Sequence, residues 1–422
     1  MDGLLNGFNY VLGLGPTVII PIAIFLIAMI FGVKPAKAFK SAITIGIGFV
    51  GVNLVVGLLS SELGTAAQQM VDRFGFQLTV IDVGWPAAAS AAFASPVAPL
   101  MIVLILAVNL IMLVFNWTRI LNIDIWNFHH FIAAAALAYI GTGNLWVSCF
   151  VGLVMEVYVL WFSDKFAPLI QEFYGLEGVA LTTGSSVAYA TIGMPIAWLI
   201  SKIPGLNKVE ISPDTIQEKF GIFGEPMIMG LIIGIVLGLL AGYDPGMAFK
   251  LGVSLAAVLL LMPRMVKILM EGLIPISEAA QEFAQRKWGD REIFIGLDAA
   301  LAIGHPANIS AGLILVPITL FIAVILPGNK MLPFGDLATI PFYVAYVSAS
   351  RKGNILHTVL AGTLMMAIGL YIATNFAPAH TELLAGLDSV KGLGSQMSSF
   401  DTGGNILKWL AYYLAEFLNN LF

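Results

Sequence analysis

"VIDVGWPAAASAAFASPVAP", residues 80–99, sets one carboxylate, Asp82, and one indole, Trp85, among small apolar residues interrupted by Gly84, Pro86 and Pro96. A second stretch, "IGLDAALAIGHPANISAGLILVP" at 295–317, does the same with Asp298, followed by His305 and Asn308. Why an apolar chain should place a carboxylate twice beside Gly, Pro and a run of alanines is answered by what surrounds the two stretches.

Hydrophobic residues make up 59% of the chain and charged ones only 11%, with a mean hydropathy of +0.92, which excludes a soluble globular domain. The composition predicts an all-α polytopic membrane protein. A hydrocarbon core of roughly 30 Å takes about 20 helical residues to cross. Runs of that order are read at 9–31, 41–60, 97–116, 143–163, 178–201, 225–242, 247–263, 309–326 and 354–376. Unbroken runs of this kind contradict a β-barrel, whose strands are short and alternating.

The stretches at 82–95 and 296–306 are too short and too interrupted to span. They are expected as re-entrant hairpins, tolerated where their free backbone groups face a polar cavity instead of lipid. Small residues let the hairpin arms approach closely. An ionisable residue at that depth is a functional candidate.

The two stretches also occupy matching places in two halves, divided here as 1–220 and 221–422. "SSELGTAAQQMVDRFG" precedes the first and "IPISEAAQEFAQRKWG" the second; each is followed by an apolar span and then a polar break, "NIDIWNFHHF" or "LPGNKMLPFGDLATIPF". Lysine and arginine in short loops stay in the cytoplasm. Lys34, Lys37 and Lys40 therefore place the loop after the first span inside. Arg264, Lys267, Arg286, Lys287 and Arg291 do so for 264–292, and Arg351 with Lys352 for the turn at 350. Segment 61–81 then lies outside while its counterpart lies inside, which makes the repeat inverted, an architecture of secondary carriers with a midplane site. Segment 264–292 is apolar at helical spacing and suits a helix along the membrane surface or a solvated loop helix, and 404–421 reads as a C-terminal amphipathic helix.

Each candidate residue has a plainer reading beside the functional one. Asp82 and Asp298 can bind substrate or cap a short helix start. Trp85 can pack or anchor at the interface, or offer a face to a ligand. His305 and Asn308 both donate and accept hydrogen bonds, a dual character that a polyol needs. Asn127, His129 and His130 precede an alanine-rich helix. Adjacent histidines point to different faces, so at most one readily faces a cavity and the pair makes a poor metal site. Thr182, Thr183 and Ser185 in "LTTGSS" can contact ligand or bond back to helix carbonyls. Asp336 reads as a helix N-cap or a further site residue.

The net charge of -5 is small, and no basic tract points to nucleic acid. No P-loop, voltage-sensing arginine run, metal cluster or catalytic triad is indicated, and no cofactor is called for. The single Cys149 reads as a buried inert thiol. The first residues lack a basic n-region and a small-residue cleavage site, and read as a retained first helix.

"DVGWPAAASAAFASP", "NFHHF", "GLDAALAIGHPANISAGLILVPI" and "LPFGDLATIPFYVAYVSAS" resemble the IIC membrane component of the galactitol group of the bacterial sugar phosphotransferase system, related to the ascorbate group. The resemblance runs over essentially the whole chain. It implies a homodimer in the bacterial inner membrane, with a dimerisation scaffold and a mobile core that carries the hairpins in an elevator-like shift. Phosphate would pass from phosphoenolpyruvate through a IIA protein to a cysteine of a separate IIB protein, and the chain itself would carry no phosphoryl group. Galactitol is an uncharged chain of hydroxyls, to which carboxylates can accept strong hydrogen bonds. Other polyols or pentitols, and an ion-coupled symporter using Asp82 and Asp298 as cation sites, are the alternatives. A non-transporting scaffold would leave the buried carboxylates without a role.

Overall fold

A computed structural model describes residues 16–74, 79–122, 124, 126–213, 226–288, 291–333, 335–385 and 396–421. Part of the expected first helix, the junction between the expected halves at 220 and parts of the breaks at 123, 125 and 334 lie outside the described residues.

The first helix, α1 (Pro16–Ile30), is followed by α2 (Pro35–Phe74), β1 (Val80–Asp82), α3 (Gly84–Ala94), α4 (Ala98–Val114) and β2 (Ile120–Asn122). Then come α5 (His129–Thr142), α6 (Leu145–Tyr174), β3 (Val179–Leu181) and α7 (Gly184–Ile200). The same order resumes with α8 (Pro226–Ala241), α9 (Pro245–Trp288), β4 (Phe294–Leu297), α10 (Ala300–Ile303), α11 (Pro306–Ile325) and β5 (Met331–Leu332). It closes with α12 (Ile340–Tyr343), α13 (Ala345–Ser350), α14 (Ile355–Leu384), β6 (Gln396–Ser398), α15 (Phe400–Gly403) and α16 (Ile406–Leu421).

Local chemistry sets the element boundaries. Proline opens α1, α2, α8, α9 and α11, at the position where its missing N–H costs nothing and its fixed φ already suits a helix. "FGVKP" and "AGYDP" make equivalent turns into the two longest helices: Gly32 at φ +84° and Gly242 at φ +85° adopt the left-handed backbone that a side chain would strain. Helix α3 meets α4 at 94° across Ser95–Val97, where Pro96 interrupts the run. A second break, at Gly304 and His305, separates α10 from α11.

Helices α1, α2, α8 and α9 pack together. Gly51 lies against Met265, and Gly272 against Ser41 and Ile45, so α2 and α9 run antiparallel. The surface helix expected over 264–292 is not a separate element. Residues 264–288 continue α9 without a break, because this length of the helix is packed along α2. Helices α5, α6, α7, α11, α14 and α16 form the other packed set.

Among the described residues, six short strands were not foreseen by the all-helical reading. They form two parallel three-stranded sheets, β5-β1-β6 and β2-β4-β3. Val80 pairs with Met331 and Gln396, and Ile295 with Leu121 and Val179. Each central strand thus comes from one half of the element order and both its neighbours from the other. The cause is backbone satisfaction: an unwound segment buried in an apolar protein must find partners for its N–H and C=O groups, and other unwound segments supply them.

Among the described residues three helices, α6, α11 and α14, are each long and apolar enough to cross a membrane, and a fourth span results if the bent α3–α4 pair counts as one.

Candidate functional site

Both stretches that open the sequence reading begin in a strand, so their aspartates sit where strands turn into helices. Asp82 closes β1. Its Oδ1 accepts the N–H of Gly84 at 3.0 Å and of Phe400 at 3.3 Å, and its Oδ2 accepts the N–H of Asp336 at 3.0 Å. Asp336 in turn accepts the Trp85 N–H at 2.7 Å through Oδ1, and the Ser399 hydroxyl at 2.7 Å and Asp401 N–H at 2.9 Å through Oδ2. Asp336 therefore does not cap the turn that follows it, as its position suggests. It caps α3 in the other half, since Trp85 lies in the first turn of that helix. Gly84, at φ +78°, packs so close that a β-carbon on it would lie 3.3 Å from the Gly335 carbonyl oxygen.

The second centre is built in the same way. Asp298 follows β4; its Oδ1 accepts the Ala300 N–H at 2.7 Å and the Thr183 hydroxyl at 3.4 Å, and its Oδ2 accepts Asn127 Nδ2 at 2.8 Å. Asn127 Nδ2 also donates to Asp124 Oδ2 at 2.8 Å, bridging the buried Asp124 and the half-buried Asp298 carboxylates. Thr183 Oγ1 accepts the Ala299 N–H at 2.8 Å. Thr182 donates to Asn122 Oδ1 at 3.2 Å, which fastens β3 to the end of β2.

Between the centres lies a buried charged cluster. Lys408 of α16 is fully buried, with Nζ 3.1 Å from His130 Nδ1, 3.2 Å from Thr402 Oγ1 and 3.9 Å from Asp401 Oδ2. Asp401 Oδ2 is 3.8 Å from His130 Nδ1, and Ser185 hydrogen-bonds the Asp401 carboxylate. The His130 and His129 rings are 4.0 Å apart between centroids, and His129 lies 6.3 Å from the Trp85 ring. His129, His130 and Asp401 present ligand atoms within 4.8 Å of one another. The Lys408 ammonium occupies the electrostatic position that a metal cation would take, so the cluster is better suited to hydrogen bonding than to holding a metal.

Of the residues singled out in the sequence, Asp82, Asp336 and Trp85 meet at one centre, and Asn127, Thr183 and Asp298 at the other. His129, His130 and Ser185 join the cluster between them, and Thr182 supports it from β3. His305 and Asn308 serve the second helix break instead. His305 Nδ1 accepts the Ala307 N–H at 3.2 Å, and its ring stands 4.4 Å from that of Phe173; Asn308 Nδ2 donates to the Ala302 carbonyl at 3.0 Å.

Sequence reasoning missed Asp124, Ser399, Asp401 and Lys408. "SSFDTGGN" after β6 occupies the place that "LTTGSS" holds after β3, a correspondence available in the sequence. Lys408 is the only cation of α16, on a helix whose amphipathic pattern suggested a surface role.

The arrangement sets carboxylates and hydroxyls, which accept and donate hydrogen bonds, beside one buried ammonium that offsets part of the negative charge. Buried polar atoms here without a hydrogen-bond partner include Asp401 Oδ2, Ser398 Oγ and both ring nitrogens of His380. A buried polar group left in that state costs about 1–3 kcal/mol.

Comparison with known proteins agrees in class. Residues 10–390 match the family EIIC-GAT, the PTS system sugar-specific permease component. The chain is 44% identical over 403 residues to the PTS system galactitol-specific EIIC component of Escherichia coli (strain K12), covering 95% of this chain and 89% of that protein. The same figures hold for the galactitol-specific component of Escherichia coli O157:H7. A putative permease IIC component of Escherichia coli (strain K12) is 36% identical over 403 residues, covering 95% of this chain and 92% of the relative. The apolar helices, the paired unwound segments and these matches together make the chain a multi-pass membrane protein that belongs to the EIIC-GAT family of sugar-specific permease components of the phosphotransferase system.

Proposed function

We propose that the chain is the galactitol permease of a phosphotransferase system in the bacterial inner membrane, moving the polyol inward for phosphorylation by a separate IIB protein, itself charged by a IIA protein. The observation that carries the substrate is the 44% identity, across nearly the whole chain, to a galactitol-specific component. The cluster of Asp401, Lys408 and His130 supports it, because an uncharged polyol can take bonds from donors and acceptors held side by side without desolvating a charge of its own.

In this reading the two halves, 1–220 and 221–422, are inverted repeats. The interrupted segments at 82–95 and 296–306 are re-entrant hairpins that enter from opposite sides. Helices α1, α2, α8 and α9 form a dimerisation scaffold, and the remaining helices carry the site past it in an elevator-like movement. Strands exchanged between the halves make that core one body, so that both hairpins would travel together.

Inverted vesicles and proteoliposomes containing the purified chain test the proposal. Labelled galactitol should cross and emerge as its phosphate ester only when phosphorylated IIB protein is supplied on the cytoplasmic face. Accumulation of unmodified galactitol under a proton or sodium gradient, with no phosphoenolpyruvate and no IIB, would establish an ion-coupled symporter instead.

A further inference from the structure

A polar cavity lies away from the aspartates, where the loop after α7 meets the turn before α14. Its volume is about 390 Å³, within the range of small-molecule sites. Ser201, Ser350, Arg351, Lys352 and His357 line it, and Glu210 is its one acidic residue. We propose that this cavity binds a phosphate monoester, and that its ligand is the phosphorylated polyol released on the same face, a proposal that rests on the transport reading above.

Four observations carry it. The first is the guanidinium. Arg351 Nη1 donates to Ser201 Oγ at 2.9 Å, which ties the two loops and fixes the fork, while Nε is buried with no hydrogen-bond partner. A guanidinium held in one orientation offers its outward N–H donors to a phosphate in the cavity, while the buried Nε takes no part there.

The second is the balance of charge. Lys352 lies beside Arg351 in the lining, and Lys202 and Lys208 stand exposed on the neighbouring loop. Among the described residues that line the cavity, two cations, Arg351 and Lys352, stand against one acid, Glu210, whereas the chain as a whole is acidic. The positive end of the 30-residue helix α14 is directed at the same place, starting from its cap at Asn354.

The third is rigidity. Asn354 Nδ2 donates to the Val209 carbonyl at 2.7 Å and His357 Nε2 lies 3.0 Å from the Leu206 carbonyl oxygen, so the cavity walls are tied to each other from both sides. A preformed wall loses little entropy on binding.

The fourth is location. A β-carbon on Gly353 would lie 3.2 Å from Phe173 Cζ and 3.4 Å from Ala307 Cβ, and Phe173 stacks on His305 at the α10–α11 break. A ligand in the cavity sits one layer of side chains from the second hairpin, where a product could report on transport.

Titration calorimetry on the full-length purified protein, in detergent free of anionic lipid, tests the proposal with three probes: a hexitol 1-phosphate, inorganic phosphate and galactitol. The hexitol phosphate should bind in a strongly salt-dependent manner, with inorganic phosphate competing. Arg351→Gln should weaken it about tenfold or more, and Lys352→Gln about threefold, as loss of a paired and of a single ionic contact requires. Arg351→Gln should leave the galactitol affinity and the melting temperature near those of the unaltered protein, which separates recognition from folding. Unchanged hexitol phosphate binding in Arg351→Gln, or its displacement by galactitol, would overturn the proposal. So would binding of phosphatidic acid in lipid nanodiscs without any binding of hexitol phosphate in detergent, which would assign the cavity to a lipid headgroup. Failure of galactitol to bind strikes the transport reading and leaves the phosphate site intact.

Discussion

Asp82 and Asp336, 254 residues apart, hold each other's backbone: Asp82 accepts the Asp336 N–H at 3.0 Å, and Asp336 accepts the N–H of Trp85 at 2.7 Å. A carboxylate that accepts several backbone N–H groups replaces water that an apolar interior excludes. Both carboxylates are therefore structural joints between the halves, whatever further part they play with ligand.

Asp82→Asn should consequently destabilise the protein. Asp82 uses both oxygens as acceptors, and one would become an NH₂ facing a backbone N–H. The cost should be about 1–3 kcal/mol, the penalty for leaving a buried donor unpaired. Thermal unfolding of the purified protein in detergent measures it; an unchanged melting temperature would show that the three bonds carry no stability.

The charged cluster predicts strong coupling. Lys408→Met leaves Asp401 buried beside His130 without its ammonium and should cost about 3–5 kcal/mol, the usual result of removing one partner from a buried pair. Adding Asp401→Asn should recover a large part of that loss. Additive destabilisation in the double variant would show that the 3.9 Å separation carries no coupling.

How much of this was legible in the sequence divides along physical lines. Asp82 and Asp298 stood out because a carboxylate in a long apolar run is costly, and Gly and Pro beside it mark a break in the helix. The breaks at 95–97 and 304–305 follow from those same residues. The strands did not stand out, since two to four residues give no periodicity and their pairing joins positions far apart in the chain. Asp401 and Lys408 were hidden for the same reason. A lone lysine on an amphipathic helix ordinarily faces water, and only the packing of α16 against α5 brings it to His130.

Asp298 offers a sharper test of ligand contact than Asp82. Its Oδ2 meets a side-chain amide and its Oδ1 meets Ala300, so Asn can keep the backbone bond if its amide turns toward Asp124 and Asn127 shifts. The protein should then insert and remain folded while galactitol binding falls by about 1–3 kcal/mol, because an acceptor has become a donor. Near-normal affinity in the folded variant would confine Asp298 to hairpin structure.

His129 and His130 should separate in their effects. His130 faces Asp401 and Lys408, whereas His129 stands toward Trp85. His130→Ala should weaken galactitol binding by about 1–3 kcal/mol through lost polar partners. His129→Ala should have the smaller effect. Equal affinities in both variants and the unaltered protein would remove this segment from the site.

Orientation can be tested on the long helices, where Lys37 and Arg286 lie at one end of the α2–α9 pair, whereas Arg264, read from charge alone as lying on the same side as Arg286, stands 22 residues, about 33 Å, away along the same continuous helix. Lys37 opens α2 and Ser61 lies 24 residues further along it, about 36 Å away at 1.5 Å per residue. Helix α9 runs antiparallel to α2, and Arg286 near its end reaches the Phe31 carbonyl at 3.4 Å, beside the turn that carries Lys34 and Lys37. The expected outcome is that Lys37 and Arg286 lie on one side of the membrane and Ser61 on the other, with the cationic side cytoplasmic. All three side chains are exposed, and the native Cys149 is buried, so single introduced cysteines can be read against a low background. Cysteine at 37 or 286 should react with an impermeant maleimide only in inverted vesicles, and cysteine at 61 only in intact cells. Labelling of position 286 from the outside would break both the orientation and the inverted relationship between the halves.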